Sequence, residues 1–328
     1  MSGDFLEQMA AGSQQRVDAA QRACPDAELL ARAVASPLPP QLRRHPAGFD
    51  LIAEMKLRSP AVGQLKSGDE DVSARVSAYA RAGAAAVSVL TEPSRFDGSM
   101  AHLELATRVL TPLGVPAMRK DFLVDRYQVT EARLAGAGGV LAILRMLPRE
   151  ALDALIERAR ELKLFVLLEA FDESDIELMH AIVEQHAPSG VEMLAGVNCR
   201  DLSTLQIVPR RLDELAHLLP NSVPRVAESG VITAEDAGRL AAAGYELALV
   251  GSALMQGGDP RALAAAMLDA GRGARASVPG AQAAAAAPGH AATPRPEVRS
   301  QAAAQRLAAD GHAVAQGHTR ERDGKAST

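Results

Sequence analysis

Tryptophan is absent, and aromatic residues make up only 3% of the 328-residue chain. The interior must therefore be filled by aliphatic side chains and by the abundant alanine. Cysteine is as scarce. Cys24 and Cys199 form neither a disulfide framework nor a metal-ligand spacing, and reduced thiols in a cytoplasm are the simplest reading. No run approaches the eighteen or so consecutive apolar residues that a membrane span needs. The opening stretch, MSGDFLEQMAAGSQQR, has an early acid and no apolar signal core, so export is not expected and a cytoplasmic location is. A formal net charge of −5 argues against a general nucleic-acid binder.

What is present is a rhythm. Hydrophobic residues are 48% of the chain, enough for one large core or two small ones. Residues 3–45 read as a preliminary helical region broken near Pro25, with Asp26 placed to cap the second helix and Pro37, Pro39 and Pro40 ending it. Short apolar runs then recur: LIAEMK from 51, AAVSVL from 85, VPAMRK from 115, GVLAIL from 139, LFVLLE from 164, MLAGVN from 193, VPRVAE from 223 and ELALVG from 246. Helix-like segments such as VSARVSAYARAG and PREALDALIERARELK fill the gaps, and Gly83, Gly136 and Gly244 stand where a left-handed residue would end a helix. Eight alternations over about two hundred residues predict a (β/α)8 TIM barrel, an α/β fold. An open doubly wound sheet would have fewer strands and a glycine-rich loop after the first, which this chain lacks. The expected boundaries are an N-terminal helical extension over 1–48, a catalytic barrel over 49–270 and a low-complexity tail over 271–328. The tail is Ala, Gly and Pro with almost no large apolar residue, and is expected to be disordered.

In such a barrel the chemistry sits at the C-terminal ends of the strands. The first run ends in Glu54 and Lys56, which alternation places on one face. A structural ion pair at a strand end is the plain explanation; a reaction centre is the other. The third run ends in Arg119, Lys120, Asp121 and Phe122, the fifth in Glu169, the sixth in Asn198, Cys199 and Arg200, and the seventh in Glu228, Ser229 and Gly230. Each has an ordinary account: a solvated lysine, a helix-dipole carboxylate, an asparagine capping a turn. Their conjunction is harder to dismiss, because charges of both signs would converge on one small volume, where pKa values shift. None of the eight histidines falls at a strand end, which argues against an imidazole base or a histidine metal site. Cys199 reads as a small filler residue. The loops ESGV and GSALM pair glycine with serine after the last two strands, where barrels of this kind often hold phosphate.

These stretches resemble the indole-3-glycerol-phosphate synthase family. LIAEMKLRSP, SVLTEPSRFDGS, RKDFLVD, LLEAFDE, GVNCRDLSTL, VAESGV and LVGSALM occur in the family's order over about residues 3–270. The resemblance implies decarboxylating ring closure of a carboxyphenylamino deoxyribulose phosphate in tryptophan biosynthesis. It implies Lys120 as general acid, and Lys56 and Glu169 sharing the dehydration. Glu54 would orient Lys56, Asn198 would anchor a hydroxyl and Glu228 would bond the sugar chain. Ser59, Ser229, Gly230, Gly251 and Ser252 would hold phosphate, and Arg200 belongs to the same binding set. Phe96 and Phe122 would wall the aromatic ring, although ordinary core aromatics would look the same. No cofactor and no metal are implied. The implied partner is a small phosphorylated substrate, without nucleic acid or membrane, and the assembly a monomer or weak homodimer. Ala61, Val62 and Cys199 depart from the common family pattern, so a divergent paralogue is one alternative and another phosphate-sugar isomerase or lyase a second.

Overall fold

Near-continuous apolar runs can be buried on both faces only where strands are covered from both sides. The computed structural model describes residues 5–59, 63–64, 71–202, 204–208, 210–256 and 259–277. Eight parallel strands close on themselves: β1 (Asp50–Met55), β2 (Ala86–Leu90), β3 (Ala117–Lys120), β4 (Gly139–Ile143), β5 (Phe165–Ala170), β6 (Met193–Asn198), β7 (Arg225–Glu228) and β8 (Leu247–Val250). Each pairs with its sequence neighbours, and β1 closes the ring on β8 through Asp50↔Leu247. Every apolar run of the sequence became one strand, and the expected (β/α)8 barrel is the observed fold.

Alternation along the strands makes two cores. Ile52, Met118, Leu141, Leu167, Leu194, Val226 and Leu247 point inward and fill the barrel. Leu51, Ala53, Val87, Val140, Val166 and Leu168 point outward against the helices. Phe165 plugs the interior because its neighbour on β4 is Gly139, where a Cβ would stand 2.3 Å from the ring.

Most of the barrel helices start on side-chain caps that satisfy orphan N–H groups. Asp71 opens α3 (Val72–Arg81), Ser99 opens α4 (Met100–Leu110) and Asp125 opens α5 (Arg126–Leu134). After α6 (Arg149–Glu161), Asp172 opens α7 (Glu173–His186); after α8 (Arg211–Leu215), Thr233 opens α9 (Ala234–Ala242). Gly83, Gly136 and Gly244 each adopt positive φ just past a helix end, as the sequence implies. Before the barrel come α1 (Phe5–Ala23) and α2 (Asp26–Ala35).

One expectation needs correction. Asp26 does not cap α2. Pro25 occupies the cap position without a side-chain bond, and the Asp26 carboxylate instead holds Arg158 at 2.9 Å and Arg126 at 3.3 Å. A charged partner outcompetes a backbone N–H for a carboxylate that faces it. Helical packing against the barrel continues past 270. The last helix, α10, runs Pro260–Ala276, and Arg272 bonds the Phe49 carbonyl and pairs with Asp50 at 3.0 Å. Gly271 is buried against Phe49. The tail from 278 on, and Ala61 and Val62, lie outside the described residues.

Gly271 gives a test whose sign is informative. Alanine for glycine inside a helix ordinarily stabilises by about 1 kcal/mol. Here the new Cβ would meet Phe49 Cδ1 at 2.1 Å, so Gly271→Ala should instead destabilise by roughly 1–3 kcal/mol in urea melts.

Candidate active site

The mouth at the C-terminal ends of the strands holds a cavity of about 310 Å³. Strand register decides what enters it. Glu54 on β1, Lys120 on β3, Glu169 on β5, Asn198 on β6 and Glu228 on β7 all line this cavity, as does Lys56 just past β1. Glu54, Glu169 and Glu228 are buried, and carboxylates so placed need partners.

The partners are the two lysines. Lys56 Nζ sits 2.5 Å from Glu54 Oε1. Lys120 Nζ lies 3.5 Å from Glu169 Oε1 and 3.7 Å from Glu228 Oε2. Asn198 Nδ2 donates to Glu169 Oε1 at 2.7 Å, and its own Oδ1 accepts from the Arg200 N–H at 2.9 Å. The strand-end charges read from the sequence therefore form a closed Lys56–Glu54 pair and a Lys120–Glu169–Glu228–Asn198 group that line one cavity. Among the described residues no group of three or more His, Cys, Asp or Glu is arranged to hold a metal ion.

The electrostatics follow from this crowding. Burial pushes the Glu54 carboxyl up, but the charges of Lys56 and Lys120 outweigh it and leave Glu54 below its ordinary value. Desolvation pulls Lys120 down, while Glu169, Glu228 and Glu54 together lift it above its ordinary value. Glu228 goes the other way. Burial and the adjacent Glu169 charge hold its carboxyl well above the usual range, and Lys120 compensates only in part. The cluster thus holds two lysines and an uneven set of acids, with Glu54 and Glu228 displaced in opposite directions from an ordinary glutamate.

Two glycines make room. A Cβ at Gly196 would stand 2.2 Å from Glu228 Oε1, so only glycine on β6 admits that carboxyl to the mouth. A Cβ at Gly251 would stand 2.3 Å from Glu54 Oε1 and 2.9 Å from Lys56 Nζ. Gly251, predicted for phosphate, thus also clears space for the ion pair; Gly196 was not predicted, and a glycine inside an apolar run was its only sequence signal.

The remaining predicted residues also line the cavity: Ser59, Ser229, Gly230, Ser252, Arg200, Phe96 and Phe122. Ser229 and Gly230 have successive positive φ values of 66° and 72°. Arg200 donates through Nη1 to the Leu205 carbonyl at 2.7 Å, so its guanidinium is held by its own loop. Phe96 and Phe122 rings lie 6.0 Å apart, and Phe5 from α1 meets Phe122 edge-on at 5.8 Å. Phe5 lines the cavity too and was not predicted, because nothing in sequence ties the first turn of α1 to a loop over a hundred residues away. Cys199 is buried, with its Sγ under Gly230, and burial pushes the thiol up to about 11. It is a neutral filler rather than a nucleophile.

Buried charges of both signs at the C-terminal mouth of an eight-stranded parallel barrel mark a (β/α)8-barrel enzyme, since a barrel that only had to fold would gain nothing from them. Comparison with known proteins narrows the class. The profile of the family described as indole-3-glycerol phosphate synthase matches residues 6–267. An indole-3-glycerol phosphate synthase of Parafrankia sp. is 43% identical over 221 residues, which is 67% of this chain and 78% of that protein. One of Micrococcus luteus is 37% identical over 269 residues, covering 78% of this chain and 93% of that protein. The chain belongs to the indole-3-glycerol phosphate synthase family. At the level of fold alone, it resembles 3-hexulose-6-phosphate synthase from Salmonella typhimurium, with a TM-score of 0.52, 13% identity and coverage of 68% of this chain and 98% of that one. Among the described residues no helix is long and apolar enough to cross a membrane.

Two measurements probe this geometry. Gly251→Ala should leave the circular-dichroism spectrum intact and lower turnover by at least about tenfold, because it displaces the Glu54–Lys56 pair. Glu228 keeps its proton in the native state above the pH, about 4.3, at which an unfolded glutamate loses it. Its contribution therefore weakens folding as pH rises through that window. Glu228→Gln should gain stability relative to the parent chain between about pH 5 and pH 7 in urea melts. A difference that is flat or reversed with pH would mean that the native carboxyl is ionised.

Proposed function

We propose that the chain catalyses the decarboxylating ring closure and dehydration of 1-(2-carboxyphenylamino)-1-deoxyribulose 5-phosphate to indole-3-glycerol phosphate, a carboxy-lyase step of tryptophan biosynthesis. The observation that carries the reading is Lys120, held between Glu169 and Glu228 at the mouth of the cavity with the Lys56–Glu54 pair lining the same space. Family membership supplies the substrate.

In this reading the phosphate rests on the backbone after β7 and β8, around Ser229, Gly230, Gly251 and Ser252, with Ser59 beside it. Phe96 and Phe122 wall the aryl ring. Grips at both ends fold the ring carbon onto the ketone, converting an encounter into a positioned attack. Negative charge develops on the ketone oxygen as the bond forms. Lys120, firmly charged by its carboxylate neighbours, stabilises that oxygen first and protonates it once it has become the stronger base. Loss of carbon dioxide then restores the aromatic ring. Lys56 and Glu169 jointly assist the departure of water. Glu54 holds Lys56 aimed, Asn198 anchors a hydroxyl while fixing Glu169, Glu228 bonds the sugar chain, and Arg200 completes the binding set. The partner is this small phosphorylated substrate; the chain works as a cytoplasmic monomer or weak homodimer. Its division into a helical extension, a catalytic barrel and a separate tail belongs to the same proposal.

The test is turnover of that substrate to a fluorescent indole product. The parent chain should convert it, and Lys120→Ala should lose at least about a hundredfold in kcat while melting as a folded protein. Near-normal turnover in that variant would sink the assignment of Lys120, and borohydride trapping of an imine would favour a Schiff-base enzyme instead.

A further inference from the structure

Asp121 follows Lys120 directly and is almost fully buried, with four donors on its two oxygens. Oδ2 accepts from Thr91 Oγ1 at the end of β2 at 2.7 Å and from Arg119 Nη2 at 3.2 Å. Oδ1 accepts from the Phe122 N–H at 2.9 Å and from Arg16 Nη2 at 2.9 Å. Arg119 is itself fixed, donating to Thr91 Oγ1, to the Gln128 carbonyl and to Glu131. One carboxylate thus joins the end of β2, the end of β3, the loop that carries Phe122, and helix α1.

Helix α1 is seated on the same loop by more than this contact. Ser13 Oγ accepts from Gln128 Nε2 at 2.8 Å, and Arg16 Nη1 also reaches Glu92 Oε1 at 3.9 Å. Glu92 caps the turn that ends in Phe96, the partner of Phe122. Ser13 and Arg16 lie three residues apart on one face of α1, and three turns back from Arg16 the same helix presents Phe5 to Phe122.

We propose that Asp121 is a positioning residue for Lys120 and Phe122, and that Arg16 makes the seating of α1 a condition of that positioning. The role rests on the reading of Lys120 given above. Arg16 shares its acceptor oxygen with the backbone N–H that immediately follows the Lys120–Asp121 pair. Without the guanidinium that oxygen keeps only the Phe122 N–H as its donor, and the turn between Lys120 and Phe122 loosens. The fold is not at stake, because Arg119 still pairs with the Asp121 charge and Arg16 is one-third exposed.

The experiment compares Arg16→Met, Asp121→Asn and the double variant in the full chain. Two readouts are taken: kcat and KM for the proposed substrate, and the rate at which an acylating reagent labels Lys120 relative to Lys56, read by mass spectrometry. Lys56, just past β1, has no bond to the clasp and serves as the internal reference. Arg16→Met should melt close to the parent, lose about tenfold in kcat with little change in KM, and label Lys120 several times faster relative to Lys56. Arg16→Lys should recover part of the loss. The double variant should lose no more than Asp121→Asn alone, since Arg16 acts through Asp121. An unchanged labelling ratio in Arg16→Met, or additive losses in the double variant, would overturn the proposal. A parent chain that never turns over the substrate would sink the lyase assignment instead, and the labelling ratio would still decide the clasp.

Discussion

Lys120, Glu169 and Glu228 share one small volume, and each depends on the others for its place there. Two carboxyls that close repel, and an ammonium group between them relieves the repulsion only partly. The outcome is an asymmetric trio: a lysine that stays charged and one glutamate, Glu228, whose carboxyl is held well above the usual range. Lys56 and Glu54 repeat the arrangement as a closed pair. Such a cluster costs folding energy, and the apolar packing of the rest of the barrel carries it.

The barrel's contribution is register. In a parallel closed sheet, a slip of one residue on any strand would turn its terminal charge from the mouth into the helix layer. Glu169↔Gly196 and Asn198↔Glu228 are paired across neighbouring strands, so the amide and both carboxyls arrive at one level. Glycine at 196 and at 251 then does what no larger residue could, leaving unfilled the space that the charged side chains occupy. The aromatic wall is assembled differently, from the turn after β2, the loop after β3 and the first turn of α1. Chemistry sits on rigid strand ends, while the ring contacts come from loops and the extension.

Much of this was legible in the sequence because it depends on local periodicity. Eight apolar runs in regular succession have one sensible closure, and alternation alone puts Glu54 and Lys56 on one face. All fourteen residues named from sequence pattern and family likeness line a single cavity. What sequence did not reveal is long-range. Arg16 meets Asp121 across 105 positions and Ser13 meets Gln128 across 115, and no periodicity links them. Asp26 was misread because its true partner, Arg158, lies 132 residues away. Position 271 has to be glycine because of the Phe49 ring, over two hundred residues earlier, which no local pattern reveals.

The most direct test of the central claim is a crystal structure with indole-3-glycerol phosphate bound. The account predicts the phosphate on the backbone around Ser229, Gly230, Gly251 and Ser252, the indole ring against Phe96 and Phe122, and the glycerol hydroxyls within hydrogen-bond reach of the Lys120, Glu169 and Glu228 cluster. A phosphate paired with Lys120, or an indole ring that touches neither phenylalanine, would contradict it.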